Sequence, residues 1–208
     1  RMASEQKFKE GDGLLFSQET SNNQELLVFT DRCQVYKCRL SDFADSKASV
    51  LGDYLPGKLG FDEGESFLTV IFPGKYEGNL LFVFENGKAA KVALAGYETK
   101  TNRKRLKNAI YGGSKLMYAT VLKEEHDLAL VSSDYRLVNF NTSLLKTKTT
   151  NSTQGVQALT IKGSRTVTMV GTAEEFIGGK AQVEKFRAEK LPSAGAPMKE
   201  TDMKSLFD

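Results

Sequence analysis

Apolar residues in this chain recur in short blocks, each an apolar run, a polar turn and a second run in which apolar and polar positions alternate. The first block reads LLVFTDRCQVYKCRL over residues 26–40 and is followed by Phe43. The second reads LLFVFENGKAAKVAL over residues 80–94 and is followed by Tyr97; the third begins at Leu128 and reads VSSDYRLVNF over residues 131–140. Alternation with period two bounded by turn residues predicts β-hairpins rather than helices. Asn86-Gly87 is the strongest turn signal, because a two-residue primed turn needs positive φ at both central positions. Arg32-Cys33 and Asp134-Tyr135 are weaker versions of it.

The hairpins repeat. Their turn positions Cys33, Gly87 and Tyr135 are 54 and 48 residues apart. A second landmark agrees: Gly11, Gly64, Gly113 and Gly163 each precede an apolar lead strand, at spacings of 53, 49 and 50. Residues 155–162 (GVQALTIK) are the most legible fourth short strand, so a unit of about 50 residues carries about four strands, the size class of a propeller blade. A unit this small cannot bury its apolar face alone, so the units must stack. The predicted fold is all-β: three full repeats at residues 11–63, 64–112 and 113–162 plus a fourth opening strand at 163–170, within a blade domain spanning 1–178. Beyond it the composition changes. Residues 181–189 predict one short helix, 191–197 a linker and 198–208 a loosely held tail, so 179–208 is expected to be linker and tail.

The net charge is +3, too small to indicate nucleic acid by itself, but its distribution is uneven. Residues 1–98 carry 11 basic and 15 acidic side chains, 99–173 carry 12 and 4, and 174–208 carry 6 and 7. The positive charge is concentrated in the middle of the chain. No apolar run approaches the roughly 18 residues of a membrane span, and no secretory signal opens the sequence, so a cytoplasmic protein is expected. Arg1 ahead of Met2 suggests a piece of something longer. Cys33 and Cys38 fit neither a zinc site nor a disulfide scaffold.

The stretches FTDRCQVYK (29–37) and VFENGKAAK (83–91), each followed by an apolar residue and an aromatic (Leu40 and Phe43; Leu94 and Tyr97), resemble the blade repeat of the A subunits of bacterial type IIA topoisomerases, DNA gyrase and topoisomerase IV. The resemblance covers about residues 10–170, and residues 153–159 (TQGVQAL) resemble that family's glycine-led strand after the inter-blade loop. It implies a β-pinwheel, a propeller-like disc whose blades exchange strands and whose basic rim wraps or bends DNA. It also implies that the cleaving tyrosine lies in another domain, and that the partners are double-stranded DNA, the rest of the A subunit and the B subunit, in the bacterial nucleoid. Two departures point toward topoisomerase IV rather than gyrase. The basic, glycine-rich gyrase loop is absent, its place taken by the uncharged TTNSTQ (149–154), and Cys33 and Tyr135 stand where Gly87 keeps glycine.

The best candidate interface is residues 99–108 (TKTNRKRLKN), where Lys100, Arg103, Lys104, Arg105 and Lys107 fall in an acid-free run from Thr99 to Lys123. Duplex DNA carries one charge per about 1.7 Å of axis, so such a loop gains by releasing counterions without reading bases. Lys115, Arg136, Lys146, Lys148, Lys162 and Arg165 are secondary candidates, several in a second acid-free run from Tyr135 to Ala173. Lys37, Arg39, Lys88 and Lys91 rank lower, because they lie on strands in acid-rich surroundings. His126, between Glu125 and Asp127, reads as part of a solvated turn, and Asp62, Glu63 and Glu65 lack calcium-loop spacing. No nucleophile elbow, phosphate loop or paired-histidine helix occurs, so the chain is expected to be non-catalytic, with no cofactor and no metal. The rival reading is a protein-interaction propeller; a carbohydrate-handling propeller ranks last, since there is no Trp.

Overall fold

The computed structural model describes residues 24–43, 56–100, 104–176 and 178–207. The expected lead strand after Gly11 lies outside the described residues. In chain order the strands are β1 (Glu25–Thr30), β2 (Val35–Arg39), β3 (Phe67–Ile71), β4 (Asn79–Phe84), β5 (Lys88–Ala93) and β6 (Arg105–Leu106). They continue as β7 (Leu116–Leu122), β8 (Asp127–Ser132), β9 (Arg136–Asn141), β10 (Thr147–Lys148), β11 (Val156–Gln157), β12 (Val167–Gly171) and β13 (Ala196–Pro197). Two helices follow β12: α1 (Gly179–Val183) and α2 (Glu200–Phe207).

Three hairpins, β1/β2, β4/β5 and β8/β9, are the centres of three sheets ordered β3-β1-β2-β6, β7-β4-β5-β10 and β12-β8-β9-β13, with β11 also paired to β5. Each hairpin takes the lead strand of the next repeat on one side and a short closing strand from that repeat on the other. Among the described residues no repeat closes a sheet with its own strands, so neighbouring blades are bound by main-chain hydrogen bonds as well as by packing. Each of the three described lead strands pairs with its hairpin through a register irregularity near the turn end, at Phe29/Thr30 of β1, Val83/Phe84 of β4 and Val167/Met169 of β12.

The first strand of each hairpin lies between layers. Leu27 and Phe29 pack with Leu80, Phe82 and Phe84 between blades 1 and 2, while Leu81 and Val83 pack with Leu128 and Leu130 between blades 2 and 3. A strand buried on both faces gains from an unbroken apolar run, which is why Leu26–Phe29 and Leu80–Phe84 read as they do. The Phe29 ring meets Phe82 at 5.7 Å and Tyr97 edge-on at 6.2 Å, tying the blade interface together.

The turns depart from the two-residue primed expectation. Positive φ occurs only at the third loop residue, Cys33 (59°), Gly87 (83°) and Tyr135 (60°). Each of these donates its N–H back to Thr30, Phe84 or Ser132. A three-residue loop of this kind needs one left-handed residue instead of two, and this lighter demand lets Cys33 and Tyr135 occupy the position. Gly87 has a second constraint: a Cβ there would lie 2.1 Å from the Leu159 carbonyl oxygen.

The C-terminal segment also differs from the linker and tail expected. Ala196–Pro197 pairs with Leu137 and Arg136 as the closing strand of blade 3, and Met198 is buried. Ala173, Phe176, Val183 and Phe186 cover Ala129, Val131 and Leu137 on the outer face of that blade. This segment is a fourth repeat without a hairpin: it supplies its lead strand β12 and its closing strand β13, and uses α1 with the following turn to cap the stack. An end repeat needs such a cap, because its outer apolar face has no next blade to meet.

Candidate nucleic-acid interface

The lead strands β3, β7 and β12 touch from blade to blade. The blades therefore converge along that side, and the closing strands β6, β10, β11 and β13 form the opposite, diverging edge. The basic loop between blades 1 and 2 reaches this edge with both of its ends anchored. The buried Tyr97 hydroxyl donates to the Ala109 carbonyl at 2.5 Å, and the Lys37 N–H donates to the Lys104 carbonyl at 2.7 Å. Between these anchors Lys100, Lys104, Arg105 and Lys107 are exposed on the edge of blade 1. Arg103 lies outside the described residues. On blade 2 the equivalent loop pairs Thr147 and Lys148 in parallel with Lys91 and Val92, leaving Lys146 and Lys148 exposed on the same edge.

The other candidates lie elsewhere. Lys115, Lys162 and Arg165 are exposed at the turn end of the hairpins. Arg165 pairs with Asp134 at 3.0 Å. Arg136 is committed to structure, its guanidinium donating to the Ala194 and Gly195 carbonyls at 2.8 and 2.9 Å to brace the closing segment of blade 3. Arg105 is partly committed: it bonds Asp62 at 2.6 Å and Gln34 at 3.1 Å and lies 5.6 Å over the Tyr36 ring, yet stays 40% exposed. The hydrogen bond from Arg105 holds the Asp62 carboxyl below the usual range. The structure thus brings together one edge group on two successive blades and a separate set at the turn end.

Lys37 and Lys91 are buried at the same hairpin position, which Asn139 occupies in blade 3. Lys37 donates to Thr99 at 3.0 Å, approaches Glu25 at 3.7 Å and lies 5.0 Å from the Tyr76 ring centroid. Lys91 pairs with Glu125 at 2.5 Å. These lysines fasten the fold instead of facing a ligand, and nothing in the strand pattern separates them from surface lysines.

The acidic candidates disperse in the same way. Asp62 holds Arg105, while buried Glu65 accepts from the Tyr36 hydroxyl. The His126 ring nitrogen Nδ1 lies 2.9 Å from the Asp127 carbonyl oxygen. Among the described residues no three His, Cys, Asp or Glu side chains are placed to share a metal. Cys33 and Cys38 are free thiols pushed up to about 11 and about 12 by burial, which leaves neither poised as a nucleophile. Among the described residues no helix is long and apolar enough to cross a membrane. Arg32 is a cation the sequence reading missed: it lines the cavities over the blade 1 turn, and its place in a polar turn was the only available signal.

Three blades of four, five and four strands that trade edge strands form a β-pinwheel. Solved structures share this fold. A C-terminal domain of DNA topoisomerase IV superposes with TM-score 0.65 at 20% identity, covering 74% of this chain and 49% of that one. The C-terminal domain of E. coli ParC gives TM-score 0.67 at 15% identity over 87% of this chain and 79% of that one. A DNA gyrase A C-terminal domain gives 0.51 at 15% identity over 76% and 50%. This chain spans about half the length of the topoisomerase IV and gyrase domains. No family model and no curated protein matches it.

Proposed function

We propose that this chain is a non-catalytic DNA-binding and DNA-bending domain of a type IIA topoisomerase A subunit, closer to topoisomerase IV than to gyrase. The observation that carries the reading is the recurrence of exposed lysines on one edge. Lys100, Lys104 and Lys107 on blade 1 and Lys146 and Lys148 on blade 2 project from equivalent inter-blade loops. A convex edge of this kind holds duplex by its phosphates alone and bends it as it follows successive blades, which requires no base contact.

In this reading the duplex is guided to a cleavage core in another domain that carries the catalytic tyrosine. The partners are double-stranded DNA, the rest of the A subunit and the B subunit of an ATP-dependent enzyme in the nucleoid. The uncharged loop 149–154 makes strong gyrase-like wrapping a poor fit. The test is the affinity of the 208-residue chain for any duplex against salt. Backbone binding predicts a steep linear fall of log K with log salt, shallower by about 0.9 per neutralised phosphate contact in Lys104→Gln/Lys107→Gln and in Lys146→Gln/Lys148→Gln. Absence of binding at low salt would favour the protein-interaction propeller.

A further inference from the structure

Blade 1 has an open cavity of about 580 Å³ over its hairpin turn, lined by Arg32, Cys33, Gln34, Arg105, Lys107 and Asn108 among others. A second cavity of about 460 Å³, which also borders Arg32, Cys33 and Gly112, extends it toward Ser114 and Lys115. The two share Arg32, Cys33 and Gly112 in their walls and adjoin as one cleft region where the closing edge meets the turn end.

The blade 2 turn is covered, the Ala158 and Leu159 N–H groups both donating to the Gly87 carbonyl. There the closing segment runs back over the tip: the Gln157 side chain donates to the Asn86 and Leu159 carbonyls at 2.6 and 2.8 Å, and the Leu159 carbonyl nearly touches Gly87. In blade 1 the matching segment turns away after Lys107, where Asn108 takes φ of 53°, a left-handed conformation that asparagine tolerates well.

The charges differ as the shapes do. The pairing registers equate Arg32 with Asn86, Arg105 with Gly155 and Lys107 with Gln157, and the matching bonds of Leu116 to Asp31 and Val167 to Glu85 equate Lys115 with Thr166. Four cations around the open cleft thus stand where the closed turn has four uncharged residues. Lys88, the counterpart of Gln34, is turned onto Gln154 and the Tyr111 ring. Two acids stand among these cations, Asp31 in the lining of the second cavity and Asp62 near both arginines. Asp31 accepts from the Ser66 N–H at 2.8 Å, and Asp62 is the exposed partner of Arg105.

We propose that this cleft is a phosphate clamp that takes the backbone of the bound nucleic acid where it passes from the edge of blade 1 to the turn end. Arg32 and Arg105 supply paired donors, and Lys107 and Lys115 supply point charges. The Arg32 guanidinium reaches its place because Gly64 is bare: a Cβ there would lie 2.6 Å from Nη2. The clamp rests on the DNA-binding reading above, but it adds a specific prediction: one recessed site, centred on Arg32, contributes more than its share of the exposed edge.

The test compares Arg32→Gln, Arg32→Gln/Lys107→Gln/Lys115→Gln and Lys146→Gln/Lys148→Gln in the 208-residue chain, with equal thermal melts required. A labelled duplex and inorganic pyrophosphate are the probes. The clamp predicts that the triple variant loses about tenfold in duplex affinity near physiological salt, that its salt slope falls by about 2–3, and that a further variant, Arg32→Lys, restores the slope but only part of the affinity lost in Arg32→Gln. It also predicts that pyrophosphate shifts the Gly64 and Gly112 amide resonances in the parent and not in the triple variant. If the triple variant binds duplex as the parent does while Lys146→Gln/Lys148→Gln weakens it, the clamp is overturned, and the edge reading stands without Lys107, on Lys100, Lys104, Lys146 and Lys148. If pyrophosphate still shifts the parent's amides in that case, the cleft serves a free polyphosphate, which also overturns the clamp. If the parent binds no duplex, both readings fall.

Discussion

The Lys91 ammonium of blade 2 lies 2.5 Å from the Glu125 carboxylate, in the turn that carries the chain into blade 3. The lysine side chain is 3% exposed and the glutamate 43%, and the Thr142 hydroxyl donates to the same carboxylate. A buried cation on one blade is thereby matched by an acid at the start of the next.

This pair should make stability depend on pH. Burial raises the Glu125 carboxyl, but hydrogen bonds from Lys91 and Thr142 and the lysine charge outweigh it, and the net shift is below the ordinary 4.5. A carboxyl lowered by folding contributes its full stabilisation above 4.5 and loses it as pH falls through the folded value. Glu125→Gln should cost about 1–2 kcal/mol at neutral pH, a figure discounted for the half-exposed glutamate. Urea melts should show this gap closing below pH 4.5.

The three hairpin turns should respond differently to substitution. Gly87→Ala combines a left-handed φ with a Cβ 2.1 Å from the Leu159 oxygen and should cost about 2–4 kcal/mol. Tyr135 has φ of 60° and is 58% exposed. Tyr135→Gly removes the left-handed penalty without opening a cavity and should stabilise by up to about 1 kcal/mol, net of the added freedom of the unfolded chain. Equilibrium unfolding of the two variants should give opposite signs.

The C-terminal segment should behave as part of blade 3. Met198→Ala empties a buried position beside Val131 and Leu137 and should cost about 2–4 kcal/mol. A free tail would show no change in midpoint, so thermal and urea unfolding decide the matter.

The arginines and lysines of the interface should separate into two groups. Arg136→Ala removes the donors to the Ala194 and Gly195 carbonyls, so it should lower stability by about 1–2 kcal/mol. Any loss of DNA affinity in that variant should disappear once the folded fraction is taken into account. Lys146→Gln/Lys148→Gln should do the reverse, leaving the melt in place and flattening the salt dependence of binding. Anisotropy titrations beside thermal melts give both quantities.

Much of the fold was legible from local rules. The blocks around Cys33, Gly87 and Tyr135 predicted all three hairpins, and Gly64, Gly113 and Gly163 predicted three lead strands, because alternation and turn chemistry act over a few residues. The basic run at 99–108 was visible as a string of charges. Its division was not: Arg105 meets Asp62 from 43 residues away, Arg165 meets Asp134, and Arg136 grips a segment nearly 60 residues on. Arg32 was overlooked because its neighbours in space, Gly64 and Lys115, are remote along the chain.

Local preferences alone fix the hairpin and lead strands, the positions of the turns and the period of about 50 residues, since each follows from side chains and backbone within one hairpin's reach. Tertiary structure decided which strand completes which sheet, that Ala196–Pro197 closes blade 3 instead of trailing as linker, and which cations remain exposed. Exchange between repeats is a matter of long-range main-chain pairing. A two-residue closing strand has too few positions to carry a periodic signal, so only packing against the preceding blade reveals it.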